Sequence, residues 1–154
     1  PDVTFLPVRG NIQTRLQKLQ SGAYGALILA AAGLKRLGLE NRIYRYFEPD
    51  EIIPAAGQGI LAIQTRAGEY ADLLARLNSP DGALCAKTER QLASLLGGDC
   101  SAPVGCHAQL HGTDMTLYGF SGIGGVPRYG SVQGNRNDAD LLVQQLASKL
   151  TITE

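Results

Sequence analysis

Cysteine is the strongest nucleophile this sequence offers, and one of its three cysteines stands where a thiol could act. Cys100 lies in the run Leu95-Leu96-Gly97-Gly98-Asp99-Cys100-Ser101-Ala102-Pro103-Val104-Gly105. A helical pattern ends there at a glycine pair, and a Pro-Val-Gly run then opens a strand. The arrangement sets a thiol on a loop backed by rigid elements, because glycine accepts the left-handed backbone that ends helices and lets other groups approach closely. A cysteine on a glycine-rich turn is more often a small packed residue than a reactive one, so the turn by itself does not assign chemistry.

Arg9 and Arg15 form a second chemical pair. Asn11 fits a helix N-cap, followed by Ile12, Leu16 and Leu19 at spacings of four and three, with Gly22 as the stop. Arg9 precedes that helix start and Arg15 borders its apolar stripe. Free N–H groups at a helix start beside two guanidinium groups suit a carboxylate. The same spacing equally describes a helix with ordinary polar flanks. Arg36 lies in the run Ala32-Gly33-Leu34-Lys35-Arg36-Leu37-Gly38, beyond the continuous apolar stretch Ala26–Ala30.

Other constellations are weaker. Cys100, Cys106, His107 and His111 have the spacing C-x5-C-H-x3-H, which resembles a zinc ligand set. If residues 104–110 form a strand, however, Cys106 and His107 point to opposite faces. His107 and His111 then share a face but stand about 13 Å apart at the usual strand rise. No metal site is expected. Gly122, Gly124 and Gly125 are followed by neither Lys-Ser/Thr nor a helix and do not make a phosphate loop. Cys85 falls inside a helical pattern and reads as core.

Length and composition bound the frame for these groups. The chain has 154 residues, 44% apolar and 18% charged, enough for one ordinary domain or two small ones with a packed core. Three cysteines argue against a disulfide framework and suit a reducing cytoplasm. The chain starts at Pro1 in a strand-like run, as expected of a piece of something longer. No apolar run is long enough to span a bilayer. Net charge is zero, which calls for neither nucleic acid nor an anionic membrane. Residues 1–39 nonetheless hold five basic side chains (Arg9, Arg15, Lys18, Lys35, Arg36) against the single acid Asp2, a bias suited to a small anionic ligand. Solvated surface charges would look the same.

The elements expected to position these groups run in order. Val3–Val8 reads as a short strand, then comes the Asn11-capped helix, Ala26–Ala30 as a strand buried on both faces, and a short helix to Gly38. Strand, helix, strand, helix is the pattern of an open α/β sheet. Arg42–Phe47 is short and amphipathic, and Pro54-Ala55-Ala56-Gly57-Gln58-Gly59 is a small-residue hinge. Ile60–Thr65 reads as a strand and Glu69–Leu77 as a helix. Ser79-Pro80 starts a further helix with the stripe Leu84, Thr88, Leu92 and Leu95. Val104–Leu110, Thr116–Phe120 and Arg128–Val132 read as three antiparallel strands, the first two joined by the hairpin His111-Gly112-Thr113-Asp114. A last helix starts near Asp138, with Leu142, Val143, Leu146, Ala147 and Leu150 on one face. The expected class is thus α/β followed by a small α+β domain.

Four stretches together resemble one family. Arg9-Gly10-Asn11-Ile12-Gln13-Thr14-Arg15-Leu16, Ile28-Leu29-Ala30-Ala31-Ala32-Gly33-Leu34-Lys35-Arg36-Leu37-Gly38, Pro54-Ala55-Ala56-Gly57-Gln58-Gly59 and the Cys100 turn are similar, in order and spacing, to porphobilinogen deaminase (hydroxymethylbilane synthase). Asp99 departs from the family's pattern, which has glycine before its cysteine, and an adjacent carboxylate tends to raise a thiol pKa. The resemblance implies a cytoplasmic transferase of haem and tetrapyrrole biosynthesis. Such an enzyme condenses four porphobilinogen units, with loss of ammonia, on a dipyrromethane cofactor and then releases the linear tetrapyrrole by hydrolysis. It implies a cofactor thioether at Cys100, and Arg9, Arg15, Arg36 and Gln58 as cofactor-binding residues. Residues 1–59 would be the later part of a periplasmic-binding-protein-like domain, 60–78 a hinge and a segment returning to a first domain, and 79–154 the α+β domain with the cysteine. The family's catalytic aspartate would belong to that first domain, upstream of Pro1. This piece is therefore expected to be inactive and to carry Cys100 as a free thiol. The family is usually monomeric, whereas an open edge at Gly59–Thr65 would invite self-association. The alternative reading is a non-catalytic carboxylate- or anion-binding α/β module.

Overall fold

The computed structural model describes residues 2–98 and 102–151. The chain divides into two compact units, residues 1–46 and 47–154.

The first unit contains helix α1 (Ile12–Gln20), helix α2 (Ala31–Arg36) and a 3-10 turn at Glu40–Arg42. Asn11 caps α1 as its sequence suggests: its side-chain oxygen accepts the Thr14 N–H at 2.8 Å, satisfying a donor that the helix cannot. Leu16 and Leu34 are buried, and Ile12 Cδ1 fills the space that a Gly33 side chain would need, which brings α1 and α2 together. The expected strands Val3–Val8 and Ala26–Ala30 do not form. Among the described residues the only ladder is in the second unit, and Phe5 and Ile28 are exposed by 85% and 60%. An apolar run becomes a strand only when a neighbour pairs with its N–H and C=O groups, and neither run has one here.

The second unit begins irregularly. Ile60–Thr65, another expected strand, also lacks a ladder; helix α3 (Ala71–Leu77) follows it. Helix α4 (Pro80–Leu95) starts on Ser79, whose hydroxyl accepts the Gly82 N–H at 3.1 Å, with Pro80 at the first helical position. Strands β1 (Val104–His111), β2 (Asp114–Ser121) and β3 (Arg128–Asn135) form an antiparallel sheet in the order β1-β2-β3, and helix α5 (Ala139–Leu150) closes the unit. The β1–β2 hairpin turns at Gly112-Thr113, between the paired residues His111 and Asp114.

Helices α4 and α5 cover one face of the sheet. Leu142, Val143, Leu146, Ala147 and Leu150 of α5 are all buried, as their spacing requires, against Cys106, Ala108, Met115, Leu117 and Val132. Each fully buried leucine contributes roughly 1.5–3 kcal/mol. Side chains of both helices pack over Gly119. A Cβ there would lie 2.6 Å from Leu150 Cδ1, 3.0 Å from Leu146 Cδ2 and 3.2 Å from Leu92 Cδ2. At the end of α4 the C-cap residue Leu96 is buried, whereas Leu95 is exposed by 45%. Thr88, Leu92 and Leu96 repeat every four residues and keep the inward face.

Candidate functional site

Two basic side chains of α1 bind the loop that precedes it. Arg15 Nε donates to the Gly10 carbonyl at 2.7 Å, and Lys18 Nζ donates to the Arg9 carbonyl at 3.2 Å. Two side chains of one helix thereby hold the Arg9-Gly10 loop against it. The terminal nitrogens of Arg15 and the guanidinium groups of Arg9 and Arg36 have no partner among the described residues. Arg36 occupies the last turn of α2. Its neighbour Lys35 is engaged, with Nζ 3.2 Å from Glu40 Oε1 and 4.9 Å from the Tyr46 ring centroid. The Glu40 hydrogen bond and charge raise the Lys35 pKa, and the Tyr46 hydroxyl and Lys35 together lower that of Glu40. Arg9 and the terminal nitrogens of Arg15, beside the capped start of α1, are of a kind suited to carboxylates.

Cys100 lies outside the described residues, but both flanks of its turn are fixed. After α4 the Gly98 N–H bonds the Ala93 carbonyl at 2.8 Å. A Cβ on Gly98 would stand 2.9 Å from that carbonyl oxygen and 3.5 Å from Val104 Cβ, so only glycine lets the chain pass. On the far side the Pro103 carbonyl accepts the Gly122 N–H at 2.8 Å, which ties the entry of β1 to the exit of β2.

Gln58 sits on a turn between two left-handed glycines, Gly57 (φ 78°) and Gly59 (φ 85°), and is exposed. What secures this turn is a residue that sequence reading passed over. Glu89 of α4 is only 2% exposed. Its Oε2 accepts the Gly57 N–H at 2.7 Å and its Oε1 accepts the Ala108 N–H at 2.9 Å. The Pro54 carbonyl accepts the Cys106 N–H at 2.8 Å. These outward-facing N–H groups of β1 belong to a sheet edge, so Glu89 and Pro54 also cover that edge. The signal for Glu89 was present in the periodicity: Cys85, Glu89, Leu92 and Leu96 follow at four, three and four, which puts a carboxylate on the inward stripe of α4.

Of the other thiols and imidazoles, Cys85, Cys106 and His107 belong to packing, whereas His111 is exposed at the β1–β2 hairpin. Cys106 is fully buried in the core, and desolvation, then the Glu89 charge, push its thiol up to about 12. Desolvation, then Glu89 and Asp81, also raise the Cys85 thiol. His107 points to the other face of β1 and stacks with Tyr118, ring centroids 6.5 Å apart. Its Nδ1 is 3.3 Å from Glu89 Oε1 but outside hydrogen-bond geometry. Among the described residues no three His, Cys, Asp or Glu side chains gather as a metal would require. No helix among them is long and apolar enough to cross a membrane.

Comparison with known proteins decides what these parts belong to. Residues 1–73 match the family model "Porphobilinogen deaminase, dipyromethane cofactor binding domain", and residues 83–151 match "Porphobilinogen deaminase, C-terminal domain". The chain is 44% identical over 152 residues to the porphobilinogen deaminase of Ruminiclostridium josui, covering 97% of this chain and 52% of that protein. It is 46% identical over 153 residues to that of Roseiflexus castenholzii and 47% over 154 residues to that of Chromobacterium violaceum, each covering 97% of this chain and 50% of the relative. The chain belongs to the porphobilinogen deaminase family. It spans about half the length of the curated relatives it matches. Arg9, Arg15, Arg36 and Gln58 fall within the cofactor-binding match, and Glu89 and Cys100 within the C-terminal match.

Proposed function

We propose that this chain supplies the cofactor-binding and C-terminal portions of a porphobilinogen deaminase (hydroxymethylbilane synthase), a transferase of tetrapyrrole and haem biosynthesis. The observation that carries the reading is the match of both family models, in order, over residues 1–73 and 83–151. The exposed guanidinium groups of Arg9 and Arg36 and the free end of Arg15 fit a ligand rich in carboxylates, such as a dipyrromethane with acetate and propionate side chains. When bound, that group supplies the pyrrole carbon from which the tetrapyrrole grows. This chain's own residues bind and orient: the three arginines take carboxylates, Gln58 offers an exposed amide, and the Cys100 thiol holds the group as a thioether. The acid–base step is assigned to an aspartate of the family's first domain, so this chain by itself is expected to be inactive. Residues 1–59 are assigned to a periplasmic-binding-protein-like domain, 60–78 to a hinge and a segment returning to the first domain, and 79–154 to the third. Supporting this, the extended runs 3–8 and 26–30 leave Val3, Phe5 and Ile28 exposed, as strands whose neighbours come from the other half would. Cytoplasmic residence is proposed on the free thiols of Cys85 and Cys106.

The test combines this chain with a polypeptide covering the other half of the Chromobacterium violaceum relative, supplies porphobilinogen and measures linear tetrapyrrole. Product from the pair, and none from either piece or from the pair with Cys100→Ser, is the expected result. Expressed by itself, the chain should show the bare-sequence mass, with Cys100 open to alkylation. No product from the pair, with porphobilinogen still binding to this chain in an Arg9- and Arg15-dependent way, would overturn the enzyme reading in favour of a carboxylate-binding module.

A further inference from the structure

We infer that Glu89 is a positioning residue: its buried carboxylate locks the Gln58 turn to the strand that leaves the Cys100 turn. The inference rests on the function proposed above for Gln58 and Cys100.

The geometry is that of a clamp. One carboxylate spans two backbone donors 51 residues apart in sequence, Gly57 N–H at 2.7 Å and Ala108 N–H at 2.9 Å. A third bond, from the Cys106 N–H to the Pro54 carbonyl, lies beside them. Gly105 admits no side chain, since a Cβ would meet the Ile53 carbonyl oxygen at 2.7 Å. The 53–57 segment is therefore pressed onto β1 along its edge. Within the turn itself, Gln58 N–H bonds the Ala55 carbonyl at 3.0 Å and Ile60 N–H bonds the Gly57 carbonyl at 3.1 Å, so consecutive reverse turns leave the Gln58 side chain exposed.

Packing does not account for a carboxylate at this position. No lysine or arginine among the described residues pairs with Glu89, and His107 lies close without a hydrogen bond. A charge taken from water is costly, and an apolar side chain here would leave the Gly57 and Ala108 N–H groups without an acceptor. What an apolar residue cannot do is accept two N–H groups at once. A glutamine cannot do so with its two ends either, because its NH2 would face one of the donors. The carboxylate is thus matched to holding the turn.

The test uses the two-piece assembly and the isotope-labelled chain. In the wild-type chain, amide exchange at Gly57 should be slow and should track that of Ala108, with Gly59 exchanging at least tenfold faster. Glu89→Gln should raise Gly57 exchange about tenfold while Leu117 and Leu146, in the core, remain protected. In the assembly Glu89→Gln should lower kcat about tenfold with KM changed less than twofold. Gln58→Ala added to Glu89→Gln should cost less than twofold more, since a freed turn no longer presents that side chain. Full additivity of the two substitutions, or an unchanged Gly57 amide, overturns the inference. Where Glu89→Gln does not fold, the wild-type exchange decides: Gly57 exchanging as fast as Gly59 refutes the clamp. An inactive wild-type assembly would refute the proposed function, and the exchange measurement would still decide the clamp.

Discussion

Arg15 is bonded to the loop that precedes its own helix: its Nε donates to the Gly10 carbonyl at 2.7 Å, five residues back. The bond uses one nitrogen of the guanidinium fork and leaves the other two free. A planar group held in this way loses less freedom on meeting a carboxylate than a loose one. Arg15→Lys keeps the charge but cannot both brace Gly10 and fork a carboxylate. We predict that Arg15→Lys and Arg15→Ala each lower cofactor loading of the two-piece assembly, by about tenfold or more, since hydrogen bonds to charged groups are worth roughly 1.5–3 kcal/mol. Intact mass gives the loaded fraction. Equal loading of the Arg15→Lys variant and wild type would refute the forked contact.

Gly119 is set by packing. Three leucine methyl groups, from Leu92, Leu146 and Leu150, close on the position of its absent Cβ. Gly119→Ala must push at least one of them, and overpacking of this kind costs about 1–3 kcal/mol. Urea denaturation of the chain should show that loss as a lower midpoint with an unchanged slope. An unaltered midpoint would mean that the helices can shift freely over the sheet.

The second unit was legible because its signals are local. Ser79-Pro80 declares its helix, the α5 stripe declares its face, and a two-residue hairpin sets the β1–β2 register. The apolar stripe puts Leu95 inward, but Leu96 is buried instead, a rotation of one residue set by the four-residue repeat through Thr88 and Leu92. Glu89 is hidden in the sequence because a carboxylate is rarely an inward residue, although its position continues the stripe. The first unit was harder for a physical reason. Composition marks Val3–Val8 and Ala26–Ala30 as strand-like, yet a strand is defined by a partner, and neither has one among the described residues. The arginines could be placed but not their ligand, because an unpaired guanidinium states a charge and not a shape. Cys100 lies outside the described residues, and only its anchored flanks bear on its role.

Cys106 gives a pH dependence. Its thiol is raised from 9.0 to about 12 by desolvation and by the Glu89 charge. The folded state therefore keeps its proton where the unfolded state has lost it. Stability from this group is complete below pH 9 and is lost as pH rises from 9 towards 12. Cys85, also raised, acts in the same direction. Urea midpoints should thus fall between pH 9 and 11, and fall less steeply in Cys106→Ala. The folded chain at pH 8 should also resist alkylation at Cys106. A slope identical in wild type and Cys106→Ala would exclude the thiol as its source.

The segment Gly59–Thr65 carries the last prediction. Leu61 and Ile63 are exposed by 85% and 59%, and no ladder bond engages the run among the described residues. Unpaired N–H and C=O groups beside apolar side chains are a template for another strand. On the proposed reading that strand comes from the other half of the enzyme; without it, a second copy of this chain is the nearest substitute. The chain should therefore self-associate with rising concentration in sedimentation velocity, and Leu61→Lys should keep it monomeric over the same range, because a charge on a free edge opposes pairing. The other-half polypeptide should compete with self-association when added in equal amount. A wild-type chain that stays monomeric throughout would show that the run is shielded in solution, and would remove the case for pairing at this edge.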